Sequence, residues 1–157
     1  MFEKILVPLD GSKLAECILP YVEELVKGRN VKEVILFRVC EQPEIPADYP
    51  ANMPQSWEKH VKDIMDSTQQ QCRLYLGDVD KKLKSLGVNI KVETCLGSAA
   101  AEIVKCAEKN QVDLIVMASH GRSGVSKWAF GSVAEKVFRR TCVPILMIRA
   151  PGCLPGF

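Results

Sequence analysis

Apolar positions along this chain switch repeatedly between short continuous runs and a helical period. Lys4-Ile5-Leu6-Val7-Pro8-Leu9 is such a run and predicts a first strand. Behind it Leu14, Ile18, Tyr21, Val22 and Leu25 fall at helical spacing, with Ser12 as the cap and Gly28 near the stop. Glu33 to Val39 reads as the second strand. Between Glu41 and Pro54 stand Pro43, Pro46, Pro50 and Pro54, too many for a helix interior or a central strand, so this stretch reads as a long loop. A long helix is expected from about Gln55 to Ser85, with Gly77 as a candidate break. Asn89 to Thr94 is the third strand, and Ser98 to about Lys109 the third helix. Leu114 to Ala118 is the fourth strand, inside the β-branched-rich run Asp113-Leu114-Ile115-Val116-Met117. Val133 to about Arg140 is the fourth helix, and Pro144 to Arg149 the fifth strand.

Alternating strands and helices of these lengths call for an α/β fold, an open parallel sheet with helices on both faces and right-handed crossovers. Ligands of such sheets sit at the carboxyl ends of strands where the strand order reverses. Two strand ends carry suitable chemistry: Pro8-Leu9-Asp10-Gly11-Ser12 after the first strand, and Ser119-His120-Gly121 after the fourth. Ala118-Ser119-His120-Gly121, then nine residues, then Gly131-Ser132 is a phosphate-binding layout, because glycines let backbone approach a phosphate and a helix N-terminus attracts anions. Ser132-Val133-Ala134-Glu135 reads as a capping box. If the two strand ends are neighbours, Asp10 accepts from the ribose hydroxyls or the base while the loop from Gly121 to Ser132 wraps the phosphates.

Each of these residues also has a simpler role open to it. Ser132 can serve only as a helix cap, Asp10 only as a brace for the turn before Ser12, and Gly121 and Gly131 only as punctuation. Arg122 and Lys127 are phosphate ligands or solvated loop charges. Trp128 and Phe130 are expected to pack the loop onto the protein. Ser119 and His120 adjoin at a strand end, where neighbours tend to point apart, which argues against a serine-histidine nucleophile.

Composition narrows the partners. A chain of 157 residues that is 47% hydrophobic can bury one sizeable core, and a net charge of +2 argues for neither nucleic acid nor a membrane surface. The seven cysteines (17, 40, 72, 95, 106, 142 and 153) are odd in number, scattered and without a C-x-x-C pair, which fits reduced core thiols in a cytosolic protein. No leader pattern and no apolar run long enough to span a bilayer is seen, so the expected location is the cytoplasm. The sequence holds no G-x-x-x-x-G-K-[ST] loop, no kinase set and no H-E-x-x-H, and its two histidines argue against a metal site. The first strand also lacks the S-G-G-x-D-S loop of pyrophosphate-forming ATPases. No residue is assigned as catalytic.

Lys4-Ile5-Leu6-Val7-Pro8-Leu9-Asp10-Gly11-Ser12, the helix entry at Leu96-Gly97-Ser98-Ala99, and Ile115-Val116-Met117-Ala118-Ser119-His120-Gly121-Arg122-Ser123-Gly124 with Gly131-Ser132-Val133-Ala134-Glu135 resemble the universal stress protein family across essentially the whole chain. The resemblance implies a Rossmann-like sheet in the order 3-2-1-4-5, binding of ATP, ADP or AMP with Mg2+ as a companion of the phosphates, and homodimers paired through the last strand, here Val143 to Ile148. By position, Asp10 matches the family's adenosine-contacting acid, Val39 the residue flanking adenine, Gly121 and Gly131 two phosphate-loop glycines, and Ser132 the phosphate hydroxyl. The binding set it implies also includes Pro8, Leu9, Met117, Ala118, Ser119, His120, Arg122, Gly124 and Val133. One position departs from the pattern: its first glycine is Ala118. The expected organisation is a universal stress protein domain over 1–150 and a C-terminal tail over 151–157. The expected function is a nucleotide-binding regulatory or stress-response module with at most slow ATP hydrolysis. The rivals are a nucleotide-free dimeric interaction module and a genuine ATPase or phosphotransferase.

Overall fold

The first strand, β1, is Lys4–Pro8; β2 is Glu33–Cys40, β3 Asn89–Leu96, β4 Leu114–Ala118 and β5 Ile145–Ile148 in the computed structural model, which describes residues 2–28, 30–42, 54–120 and 130–151. All neighbours pair in parallel, in the order β3-β2-β1-β4-β5. The sheet therefore grows outward from β1 in both directions, and the chain reverses its direction of winding between β1 and β4.

Period-2 alternation divides the apolar side chains between two cores. Ile5, Val7, Val34, Leu36, Leu114 and Val116 face one side, where α1 (Leu19–Gly28) and α2 (Gln55–Leu83) cover them with Val22, Leu76, Val79 and Leu83. Leu6, Ile35, Phe37, Ile115 and Met117 face the other side, against Ala100, Ile103 and Ala107 of α3 (Ala99–Asn110) and Ala134 and Val137 of α4 (Ser132–Arg140). Both faces of β1 and β4 are dry, which explains why their sequences read as continuous apolar runs.

Several boundaries differ from the sequence pattern. The first helical segment opens with a 3-10 turn over Ala15–Ile18 before α1 begins, and Tyr21, expected on the buried stripe, is 50% exposed. Helix α2 passes through Gly77 unbroken, because nothing there crowds the helix and the buried positions on either side keep it seated. Strands β2 and β3 extend to Cys40 and Leu96, since each supplies the other's backbone partners (Val39 with Cys95, Cys40 with Leu96) beyond the end of the apolar pattern. Pro144 lies just before β5, where it lacks an N–H yet its carbonyl accepts from Ile115 at 2.9 Å.

Asp113 stands at the entrance to β4, and its Oδ2 accepts the N–H groups of Glu3 (2.9 Å) and Lys4 (2.8 Å). Those bonds, the one from Lys4 foremost, hold its carboxyl below the usual carboxylate range. An unfolded aspartate titrates near 3.9, so this stabilisation is complete above about pH 4 and is lost as the pH falls through the lower folded value. Asp113→Ala should cost about 1–3 kcal/mol at neutral pH. Urea denaturation should show that gap shrinking toward zero in acid; a gap independent of pH would mean that the carboxylate does not pin β1 to β4.

Candidate functional site

β1 and β4 are neighbours and the helices that follow them lie on opposite faces of the sheet, so a crevice opens at their carboxyl ends. A cavity of about 330 Å³ fills it. That lies toward the small end of the range for small-molecule sites. Of the residues singled out from sequence, Pro8, Leu9, Asp10, Val39, Met117, Ala118, Ser119, His120, Gly131, Ser132 and Val133 line this cavity. Gly121, Arg122 and Gly124, with Lys127 and Trp128, lie outside the described residues. The walls also include Ala15, Phe37, Cys40, Glu41, Gly97, Ala99, Ile103 and Ala134, none of which sequence reasoning placed in the binding set. The strand-end rule could have found part of that set, because β2 and β3 end in register beside β1 and their last residues reach the same rim.

Asp10 follows the end of β1. One of its oxygens, Oδ1, accepts from the N–H of Ser12 at 2.8 Å and from the Ser12 hydroxyl at 2.6 Å. Ser12 Oγ in turn accepts from Ala15 N–H at 3.1 Å, so the acid is fixed to the start of the helical segment that follows. The turn needs Gly11, whose φ of +87° is unfavourable for a side chain and whose absent Cβ would stand 2.8 Å from the Arg38 guanidinium. Arg38 is held over the ring of Tyr75, 4.9 Å from its centroid. The Tyr75 hydroxyl donates to Glu16 Oε1 at 3.2 Å, and Lys82 Nζ to Glu16 Oε2 at 3.1 Å. Burial works to raise the Glu16 carboxyl, but the Lys82 hydrogen bond and charge outweigh it and leave it below its ordinary value.

Across the crevice, the chain bends at Ser119 as β4 ends. Strand alternation stops there, and the expectation that Ser119 and His120 point apart does not hold: Ser119 Oγ lies 3.0 Å from His120 Nδ1, and both residues are buried. The same Oγ accepts from Ala150 N–H at 3.2 Å, so the pair braces the end of β5. The Ser119 carbonyl accepts from Gly131 N–H at 2.8 Å, which seats the start of α4 against β4.

The capping box expected at Ser132 is absent. Gly131 is the N-cap, no side chain caps α4, and Glu135 pairs with Arg139 one turn on at 2.9–3.0 Å. Ser132 is the first helical residue, exposed, and part of the cavity lining. The first turn of α4, with the positive end of its dipole, thus forms one end of the cavity. Gly131 has an ordinary φ of −56°, so positive φ does not explain a glycine there. Space does: a Cβ at that position would stand 3.0 Å from the Ser119 carbonyl oxygen and 3.4 Å from His120 Cα. Phe130 is 55% exposed and does not pack inward as expected.

The match to the universal stress protein family model spans residues 1–149. The chain belongs to the universal stress protein family. The universal stress protein MJ0577 of Methanocaldococcus jannaschii is 30% identical over 95% of this chain and 96% of its own length. The solved structure of MJ0577 superposes with a TM-score of 0.81 over 97% of this chain and 99% of that one. Two more distant members share the fold. A universal stress protein in complex with cAMP has a TM-score of 0.62 at 18% identity, covering 94% of this chain and 97% of that one. A family protein from Arabidopsis thaliana with AMP bound has a TM-score of 0.64 at 17% identity, covering 96% and 93%. No described helix is long and apolar enough to cross a membrane. Within the family, then, this chain has the sheet order 3-2-1-4-5 and helices on both faces.

The tight seat of Gly131 is open to test. Gly131→Val should force α4 off the Ser119 carbonyl and cost about 1–3 kcal/mol, the usual toll of overpacking. The circular dichroism spectrum should remain that of the parent while the urea midpoint falls; a variant as stable as the parent would show that the junction yields freely.

Proposed function

We propose that this universal stress protein binds an adenine nucleotide, ATP, ADP or AMP, in the crevice between β1 and β4 and acts as a regulatory or stress-response module. One observation carries the reading: a braced carboxylate, Asp10, and the uncapped first turn of α4 face one cavity that also has apolar walls from Phe37, Val39, Ile103 and Met117. An adenine ring suits the apolar walls, a ribose can donate its hydroxyls to Asp10, and phosphates suit the N–H groups and dipole of a helix start. Family members crystallised with cAMP and with AMP make adenine nucleotides the ligand class to test first.

Among the described lining residues the charged side chains are acidic, Asp10 and Glu41. The phosphates are therefore met by the α4 N-terminus and, in this reading, by the segment from Gly121 that carries Arg122 and Gly124. Mg2+, where it accompanies ATP, would offset phosphate charge. Among the described residues no group of three or more histidines, cysteines and carboxylates is placed to hold a metal without a ligand's help. The Ser119–His120 pair serves as a brace in this reading, and hydrolysis is slow at most. The nucleotide-free interaction module remains the rival, and the small molecules released from purified protein on denaturation separate the two.

Asp10→Ala should weaken ATP and AMP alike, roughly tenfold to hundredfold, because it removes charge-assisted bonds of about 1.5–3 kcal/mol to the part both ligands share. Ser132→Ala should weaken ATP more than adenosine. Titration calorimetry of both variants with all three ligands reads this; unchanged affinities in Asp10→Ala would leave that acid as a turn brace alone.

The edge of the sheet supports a second element of the proposal. Among the described residues strand β5 pairs only with β4, its four residues are partly buried, and Val143-Pro144-Ile145-Leu146-Met147-Ile148 offers an apolar edge. A homodimer through this strand is the expected assembly. Light scattering at micromolar concentration should return twice the chain mass, and a monomer mass would overturn it.

A further inference from the structure

Arg38 lies on the face of β2 that α2 covers, in step with Val34 and Leu36. Its guanidinium fills the space that a side chain at Gly11 would need: Cζ and both Nη atoms stand 2.8–2.9 Å from where a Cβ would be. Distances so nearly equal mean that the planar group turns its face, not its edge, to the glycine. The guanidinium also lies over the ring of Tyr75 on α2, with Cζ 4.9 Å from the ring centroid. Nε is buried and has no hydrogen-bond partner among the described residues. A buried donor left without an acceptor is costly, so hydrogen bonding through Nε does not explain an arginine here. What the side chain supplies is a flat, charged surface that meets both Gly11 and an aromatic ring of the long helix.

Gly11 needs such a surface. A glycine populates positive and negative φ about equally, so nothing in its own chemistry holds the +87° found here. On either side of it stand Asp10 and Ser12, joined by Asp10 Oδ1 to the Ser12 N–H at 2.8 Å and to the Ser12 hydroxyl at 2.6 Å. Gly11 is the middle of the turn that those bonds close, and Asp10 is the end of it that lines the cavity. The far end of the series is anchored as well. The Tyr75 hydroxyl donates to Glu16 at 3.2 Å, and Glu16 accepts from Lys82, two helical turns further along α2, at 3.1 Å. Contact thus runs from α2 through Tyr75 and Arg38 to Gly11, and through the turn to the carboxylate in the crevice.

We propose that Arg38 is a positioning residue for the ligand: by holding Gly11 in its left-handed conformation, it fixes the Asp10 carboxylate where a ribose meets it. The proposal rests on the nucleotide reading above. It adds that binding strength is set in part from the α2 side of the sheet, by Arg38 and Tyr75, neither of which lines the cavity. Because Arg38 acts through Asp10, every ligand that shares the adenosine part feels it equally. Lysine at this position would keep the charge and lose the plane, so it would not hold the glycine.

The test is a double-mutant cycle on the full-length chain, with adenosine, AMP and ATP titrated by calorimetry. Arg38→Ala should weaken all three by one common factor, roughly threefold to tenfold, and should add less than about twofold once Asp10→Ala is present. Arg38→Lys should lose as much as Arg38→Ala, and Tyr75→Leu more than Tyr75→Phe, which keeps the ring. These three variants read the same contact without emptying the site, so a poorly folded Arg38→Ala does not stall the test. Gly11→Ala should cost more affinity in the parent than in Arg38→Ala, because the added methyl meets the guanidinium only in the parent. A loss confined to AMP and ATP would make Arg38 a counter-charge for phosphate, and a loss that adds in full to Asp10→Ala would make it act apart from the acid. Either result, or unchanged affinity in the Arg38 variants, overturns the proposal while the nucleotide reading stands. A parent chain that binds none of the three ligands overturns that reading, and the proposal falls with it.

Discussion

Ser119 ties together three parts of the chain that meet nowhere else in sequence. Its N–H donates to the Ile148 carbonyl at 2.8 Å, its carbonyl accepts from Gly131 at 2.8 Å, and its hydroxyl accepts from Ala150 at 3.2 Å while touching His120. The end of β4, the end of β5 and the start of α4 are thus fixed relative to one another through one residue. The bonds are buried, so breaking one leaves polar groups without water to replace it. This junction forms the far wall of the cavity, and a Cβ at position 131 would stand 3.0 Å from the same carbonyl oxygen.

The near wall is fixed in another way. Asp10 is held by a local turn, and that turn by a stack of charged and aromatic side chains running from Arg38 through Tyr75 to Glu16 and Lys82. The stack reaches from β2 to α2, so the position of one carboxylate in the crevice depends on the long helix that covers the sheet. On that helix the buried positions begin only at Cys72; the helical turns before it carry none. The half of α2 that anchors the stack is the half that belongs to the core.

Two physical rules made most of the fold legible in the sequence. Continuous apolar runs marked β1 and β4 because both of their faces are buried, and glycine, proline and helical spacing marked where helices start and stop. The cavity was also largely legible, since ligands of open parallel sheets gather at the strand ends beside the reversal, and the residues after β1 and β4 carry the polar chemistry. What escaped was contact across the fold. The capping box failed because Gly131 is drawn onto Ser119, which places Ser132 inside the helix. The pairing of Ser119 with His120 went unseen because strand alternation was carried one residue past the strand's end.

By itself the sequence determined the class of the fold, the run of strands and helices, the family, and the residues at the two strand ends that face one crevice. These follow from local periodicity and from motifs confined to short stretches of chain. Only the tertiary structure decided that Asp113 pins β1 to β4, that Phe37, Ile103 and Glu41 complete the wall, and that space and not backbone conformation favours Gly131. Each of these is a contact between residues distant in sequence or brought together by the docking of one element on another. No pattern of neighbouring residues encodes such distances; the packing of helices against a twisted sheet sets them.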